Sequence, residues 1–319
     1  MRSLVLSISG IALLALSAGG RVETWTQTTG PGPNRIINLY DAFGEKREGT
    51  VLDFGFSCLI VHEGKRIPFD GGTNADLLAR NAKALGIDLS QVDFAVGSHA
   101  HGDHLNGFDY LLSVNPKVKI YLPQDFYCGA AVTVKTPEGT LEQVPPTQRY
   151  YGKTDRAIPV VQSGRFWKAN VEYVSEGKEI APGLKLVFSR SPHLGYFTAY
   201  PPNEEKPKLT GLPELSLSLE TEACQVLVVG CSHSSVGKIV EDARKQVGGE
   251  IDLVYGGYHL LPYDEATIRK VATEMRDEHG VKRAAPCHCT GPLGFKVFAE
   301  IYGEGFELAG LGAEVAISK

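Results

Sequence analysis

Three of the chain's nine histidines fall in one short stretch, Ser98-His99-Ala100-His101-Gly102-Asp103-His104. Side chains two positions apart on an extended segment project to the same side, so His99 and His101 can chelate one cation through imidazole nitrogens. Asp103 and His104 follow beyond Gly102 and can address a second cation a few ångströms away. The mostly apolar run Val92–Val96 just before them reads as a buried strand, which gives the ligands a rigid base. Water held between two such cations is acidified from about 15.7 toward about 7, which supplies a hydroxide nucleophile at neutral pH.

Other histidines and cysteines sit at glycine-flanked strand ends. The apolar strand ending at Val229 stops at Gly230 and presents Cys231, with His233 two residues on. A thiolate can bind zinc at about 2.3 Å, whereas a bland alternative makes Cys231 a small packing residue. His259 follows Tyr255-Gly256-Gly257, where glycine lets the backbone come close. His288 lies between Cys287 and Cys289 and before Gly291. If that stretch is extended, the two flanking cysteines point away from whatever His288 holds. His193 follows the apolar strand Leu184–Phe188 and competes with His233 as a ligand. His62 and His279 lack such company and read as surface residues.

The elements that must position these groups begin with short strands at Ile36–Tyr40, Ser57–His62 and Arg66–Phe69. A helix is expected over Ala75–Leu85, stopped by Gly86, then a strand at Val92–Gly97, a helix at Leu105–Val114 and a strand at Val118–Leu122. Residues 123–180 carry no clear period and read as an insertion, a lid or substrate wall. Pro201–Pro213 is rich in proline and charge and reads as exposed. Regular alternation follows: strands Leu215–Leu219, Gln225–Val229, Ile251–Tyr255 and Arg283–Pro286, with helices Val236–Val247, Asp264–Glu278 and Leu293–Ile301. Hairpins followed by strand–helix alternation, in both halves, argue for a layered α/β sandwich.

Composition narrows the function. The 319 residues are 43% hydrophobic and 22% charged, so the chain can bury a core. A net charge of −5 gives no global positive field to hold nucleic acid. Arg2, the charge-free run Ser3–Gly20 and the small residues that end it have the layout of a secretory signal over residues 1–20. This predicts a periplasmic or secreted protein without stable membrane association after cleavage, with residues 21–319 as a single domain. Six cysteines in an exported chain permit disulfides, although metal chemistry competes for them. There is no Gly-x-Ser-x-Gly or Walker-type loop.

His99, His101, Asp103 and His104 match the His-x-His-x-Asp-His hallmark of the metallo-β-lactamase superfamily, which the chain resembles from about Ile36 to Ile317. Gly230-Cys231-Ser232-His233, Gly256-Gly257-Tyr258-His259-Leu260 and His288-Cys289-Thr290-Gly291 resemble its dihydropterin/ribofuranosylaminobenzene-phosphate-synthase-like branch. The resemblance implies an αββα four-layer sandwich and two divalent metal ions, zinc above iron or manganese. It implies metal ligation by His99, His101, Asp103, His104, Cys231, His233 and His288, with His193 as an alternative to His233. Cys231 stands where most members carry a bridging aspartate. Asp70, in Phe69-Asp70-Gly71-Gly72, matches a carboxylate that orients a ligand histidine. By likeness to the tRNA-maturation nucleases of the superfamily, His259 is either the proton donor or a supporting hydrogen-bond partner.

The expected activity is therefore an exported metal-dependent hydrolase of a small ester, lactone, amide or phosphoester, with Asp103 aligning the hydroxide and His259 protonating the leaving group. Two alternatives stay open: a synthase or transferase of the pterin–ribofuranosylaminobenzene-phosphate type, and an iron-dependent sulfur or oxygen oxidoreductase. The expected partner is a small-molecule substrate and not nucleic acid.

Overall fold

Apolar runs bounded by turns give this chain its strands, and apolar stripes at helical spacing give its helices. The computed structural model describes residues 34–317 except 46, 125–130, 135–157, 162–168, 195–196, 199–208 and 223. Residues 1–20, read as a signal, and Cys128 lie outside the described residues.

One sheet runs Glu314–Ala316, Arg35–Tyr40, Ser57–His62, Lys65–Phe69, Phe94–Val96, Lys119–Pro123, Asn170–Val174 from edge to edge. The other runs Arg283–Cys287, Ile251–Gly257, Gln225–Val229, Leu212–Glu220, Leu184–Ser191, Lys178–Ala181. Phe69, Val96, Leu217, Val228, Leu253 and Tyr255 share one buried cluster between them. Helices Ala75–Ala84 and Phe108–Val114 cover the first sheet's outer face through Leu78, Leu111 and Ile120. Helices Val236–Val247, Glu265–Thr273 and Gly291–Tyr302 cover the second through Ile239, Ile268 and Val297. This is the αββα four-layer sandwich.

Each sheet passes from antiparallel pairs to parallel ones. The parallel half positions the chemistry, because loops at the carboxyl ends of parallel strands gather on one side. Val229 pairs with Gly256 and Gly256 with Pro286, so three strand ends are level. Phe69 pairs with Val96 in the first sheet.

Several expectations change. The helix expected over Leu105–Val114 is two, Gly102–Leu105 and Phe108–Val114. They part at Gly107, whose Cβ would lie 1.7 Å from the Gly71 carbonyl, so two backbones touch there. The helix expected through Glu278 is α-helical over Glu265–Thr273 and continues as a π-helical turn, Glu274–Glu278. Leu212 and Pro213, expected in an exposed segment, are buried at the start of the strand Leu212–Glu220, drawn in by pairing with Leu184–Ser191. Of the stretch 123–180, Asn170–Val174 completes the first sheet and Lys178–Ala181 edges the second. The backbones of Ala131–Val134 and Ile158–Val161 pair in a small sheet with Phe197–Thr198 and Leu209–Thr210.

His62 is not a surface residue but a buried one, because the strand Ser57–His62 is enclosed on both faces. Burial lowers its pKa, against the opposing pull of Glu63 and of a hydrogen bond to the Glu220 backbone. His279 is partly exposed. The five described cysteines are free thiols, and among the described residues no helix is long and apolar enough to cross a membrane.

Buried Asn81 fastens the loop after the first strand to the first helix. Its Oδ1 accepts the Val51 N–H at 2.8 Å, and its Nδ2 donates to the Leu39 and Val51 carbonyls at 3.1 and 3.0 Å. Asn81→Ala strands those backbone groups and should lower stability by about 3 kcal/mol, read as a lower denaturant midpoint at unchanged slope.

Candidate metal centre

The first sheet contributes a hydrogen-bonded frame built on Asp70. This residue ends the strand Lys65–Phe69 at φ 60°. Its Oδ1 accepts the Ser98 N–H at 2.6 Å, and its Oδ2 accepts the Ser98 hydroxyl at 2.7 Å and the His104 Nδ1–H at 2.6 Å. The Ser98 oxygen lies 2.8 Å from His99 Nδ1, from which it accepts because its own proton goes to Asp70. These bonds fix the tautomers, so His99 and His104 both turn Nε2 lone pairs toward the centre. His99 Nε2 is 3.1 Å from His101 Nδ1, and His104 Nε2 is 3.1 Å from Cys231 Sγ.

The second sheet closes on this frame. Gly230 has no side chain because a Cβ there would sit 2.2 Å from the Ser98 hydroxyl. Cys231 follows, buried, and the next turn is pinned by Ser232, whose hydroxyl donates to the Gly257 carbonyl at 2.7 Å. The carboxylate of buried Glu214 accepts the His233 and Ser234 N–H groups at 2.8 Å each. Burial, working against those bonds, pushes Glu214 up to about 7. The His233 ring then stands 4.9 Å from His99 and 4.7 Å from His101, centroid to centroid. The His259 ring is 4.6 Å from His233. His288 N–H donates to Asp41 at 2.9 Å, and His288 Nε2 faces Asp103 Oδ2 at 3.5 Å. Asp70, Ser232, His259 and His288 all hold positive φ, so backbone strain is concentrated where the donors converge.

Among the described residues, donor atoms within 4.8 Å of one another form three overlapping groups: Asp103, His104, Cys231 and His288; His99, Cys231 and His233; Cys231, His259 and Cys289. Cys231 belongs to all three. His193 belongs to none; its Nε2 pairs with the Tyr263 hydroxyl at 2.9 Å. Of the two histidines in competition, His233 is the one beside His99 and His101.

Cys289 corrects the sequence reading, which turned it away. Its sulfur lies 3.3 Å from Cys231 Sγ. The strand ends at Cys287, and His288–Thr290 is a 3₁₀ turn, so the alternation of an extended chain stops one residue too soon for that argument. Cys287 alone points into the core between the sheets. Sequence reasoning also missed Asp41 and Glu214, which hold the backbones of His288 and His233. Glu214 left a readable trace, a lone acid amid the leucines of Leu212–Leu219.

Burial above all, and then neighbouring histidines, depress the pKa of His99 and His233; burial dominates for His101 too, down to about 4. All three are neutral at pH 7 and can donate lone pairs. Burial alone would raise Asp103, but His104, His288 and His101 hold it far below the usual carboxylate range. Burial would lower His288, yet Cys289, Asp103 and Asp41 push it up to about 9. His288 Nδ1 is buried with no hydrogen-bond partner. Hydrogen bonds join several of these donors, His99 with His101 and His104 with Cys231, and a divalent cation among them would take the place of the shared protons. Neutral nitrogen, anionic oxygen and sulfur together fit such an ion, with sulfur favouring zinc.

The family model of the metallo-beta-lactamase superfamily matches residues 50–152. A 7,8-dihydropterin-6-methyl-4-(beta-D-ribofuranosyl)-aminobenzene-5'-phosphate synthase of Methanocaldococcus jannaschii is 27% identical over 292 residues, 86% of this chain and 93% of the synthase. An uncharacterized protein of the same archaeon is 25% identical over 252 residues, 74% of this chain and 84% of its own length. The crystal structure of a metal-dependent hydrolase of the beta-lactamase superfamily matches with a TM-score of 0.68 at 23% identity, covering 90% of this chain and all of that one, a likeness of fold. With its four layers and its His-x-His-x-Asp-His loop at the strand ends, the chain is similar to the metallo-β-lactamase superfamily in fold and in the sequence of its first half, and to the archaeal synthase along most of its length.

Proposed function

We propose that the chain is a metal-dependent hydrolase of a small ester, lactone, amide or phosphoester, built around two divalent cations, most simply zinc. The carrying observation is the convergence of three donor groups on Cys231. His99, His101 and His233 would hold one cation, and Asp103, His104 and His288 the other, with Cys231 within reach of both. Bound there, divalent cations supply Lewis-acid polarisation of the substrate and acidification of water.

The chain's own residues do the rest. Asp103 keeps an anionic carboxylate beside His104 and His288 and orients the attacking water. Phe54 and Phe56 lie against the His288 ring, at 4.8 and 6.2 Å, and keep bulk water from it. His259 is partly exposed, and its buried Nδ1 has no hydrogen-bond partner, which leaves that atom free to serve a leaving group as proton donor.

The 27% identity to the archaeal synthase supports a second reading, a synthase that joins fragments at the same centre. The apolar segment within Ser3–Gly20 supports export to the periplasm or beyond, where pterin intermediates of the cytosol are scarce, and so favours hydrolysis. An iron oxidoreductase would instead show itself by one iron per chain and oxygen uptake with glutathione persulfide.

Elemental analysis of the full chain should find two divalent ions. His233→Ala should lose about one equivalent and His193→Ala none, since only the former ring adjoins His99 and His101; the opposite pattern would return the role to His193. In a screen of esters, lactones, phosphodiesters and β-lactams, turnover should vanish with a chelator and return with zinc. Product formed in oxygen-labelled water should carry one labelled oxygen, whereas an unlabelled condensation product would favour the synthase. His259→Ala should cut kcat by about 10²–10⁴ with metal content unchanged, and full activity would remove its proton-donor role.

A further inference from the structure

We infer that Cys289, together with Cys231, is a thiolate ligand of the centre, so that a pair of sulfurs completes it on the side of the second sheet. The inference rests on the two-cation reading above and goes beyond the ligand set that the superfamily hallmark supplies.

Three observations carry it. The two sulfurs are 3.3 Å apart, and with a ring nitrogen of His259 they form a donor group within 4.8 Å. The backbone has cleared room for the second sulfur: a Cβ on Gly257 would meet Cys289 Sγ at 2.8 Å. The turn that aims it is fastened, because the Cys289 carbonyl accepts the Leu260 and Leu261 N–H groups at 3.1 and 3.3 Å, from the loop that carries His259. Cys287, two residues earlier, goes instead into the core between the sheets, so the inward direction of Cys289 is specific to its turn.

As thiols the two groups share one S–H···S contact, and as bare thiolates they repel. A divalent cation removes both problems. Each thiol gives a proton to solvent, the sulfur lone pair passes into a metal–sulfur bond, and no oxidation state changes. Two sulfurs select zinc or another soft-tolerant ion over magnesium and manganese, which prefer oxygen.

X-ray absorption at the zinc edge of the zinc-loaded full chain tests this through sulfur neighbours at about 2.3 Å. Cys289→Ser should lower the mean sulfur number by about one third if Cys231 spans both ions, or about one half if it binds one. Cys224→Ser, remote from the centre, should leave it unchanged. Should Cys289→Ser fail to fold, cadmium NMR of the unsubstituted chain decides: one of two resonances should fall in the two-sulfur range. Two bound zinc ions with an unaltered sulfur shell in Cys289→Ser, or no two-sulfur cadmium resonance, would make Cys289 a structural thiol and leave the metal centre standing. A chain that binds no metal at all would end both readings.

Discussion

A single buried carboxylate, Asp70, sets the terms for the rest of the site. Its charge is fully withdrawn from water, which costs several kcal/mol unless hydrogen bonds replace the lost hydration. Three donors do so: the Ser98 N–H, the Ser98 hydroxyl and His104 Nδ1. Because the Ser98 proton is committed to Asp70, His99 must donate into Ser98, and two imidazoles are thereby held in one tautomer with their Nε2 atoms inward. The same need for room explains Gly230: a side chain there would strike Ser98 and, at 3.3 Å, crowd Asp70. One charge thus dictates two ring orientations and a glycine on the opposite sheet.

A division of labour runs through the remaining acids. Asp41 and Glu214 accept backbone N–H groups of His288 and His233 and so fix where each loop stands, and Asp41 also helps to raise the pKa of the His288 ring. Asp103 has a partly exposed side chain and is held anionic by its histidine neighbours, the combination a ligand or water-orienting group needs. Strained φ values at Asp70, Ser232, His259 and His288 persist because level, parallel strand ends on either side over-determine each loop. The sandwich supplies rigidity, and the loops spend it on geometry.

How much of this was legible in the sequence depended on the range of the interaction. The histidine loop declared itself because its spacing is local, and the strands and helices of the second half declared themselves by period. The break at Gly107 did not, since its cause is a contact with Gly71, far along the chain. His62 looked isolated because only the folded partner at Glu220 gives it company. The inward turn of Cys289 was missed for a different reason: alternation was extended past Cys287, where the strand had already ended. The placing of His233 beside His99 and His101, and of His193 against Tyr263, likewise depends on Glu214 and Tyr263, neither of them near those histidines in the chain.

Cys231, at a position where the resemblance to the metallo-β-lactamase superfamily implies a bridging aspartate, bears on the proposed chemistry more than any other departure. A carboxylate spreads one charge over two oxygens and can reach two cations with separate atoms. A thiolate has a single, softer atom, and here that atom already lies within reach of the imidazoles on both sides and of a second sulfur. Sulfur gives a bound cation more electron density than oxygen does, which weakens its pull on water while strengthening its hold on zinc. A centre of this kind relies less on the acidity of its water and more on a proton donor for the departing group. In the proposed reaction that role would fall to His259, a partly exposed residue whose buried Nδ1 has no hydrogen-bond partner.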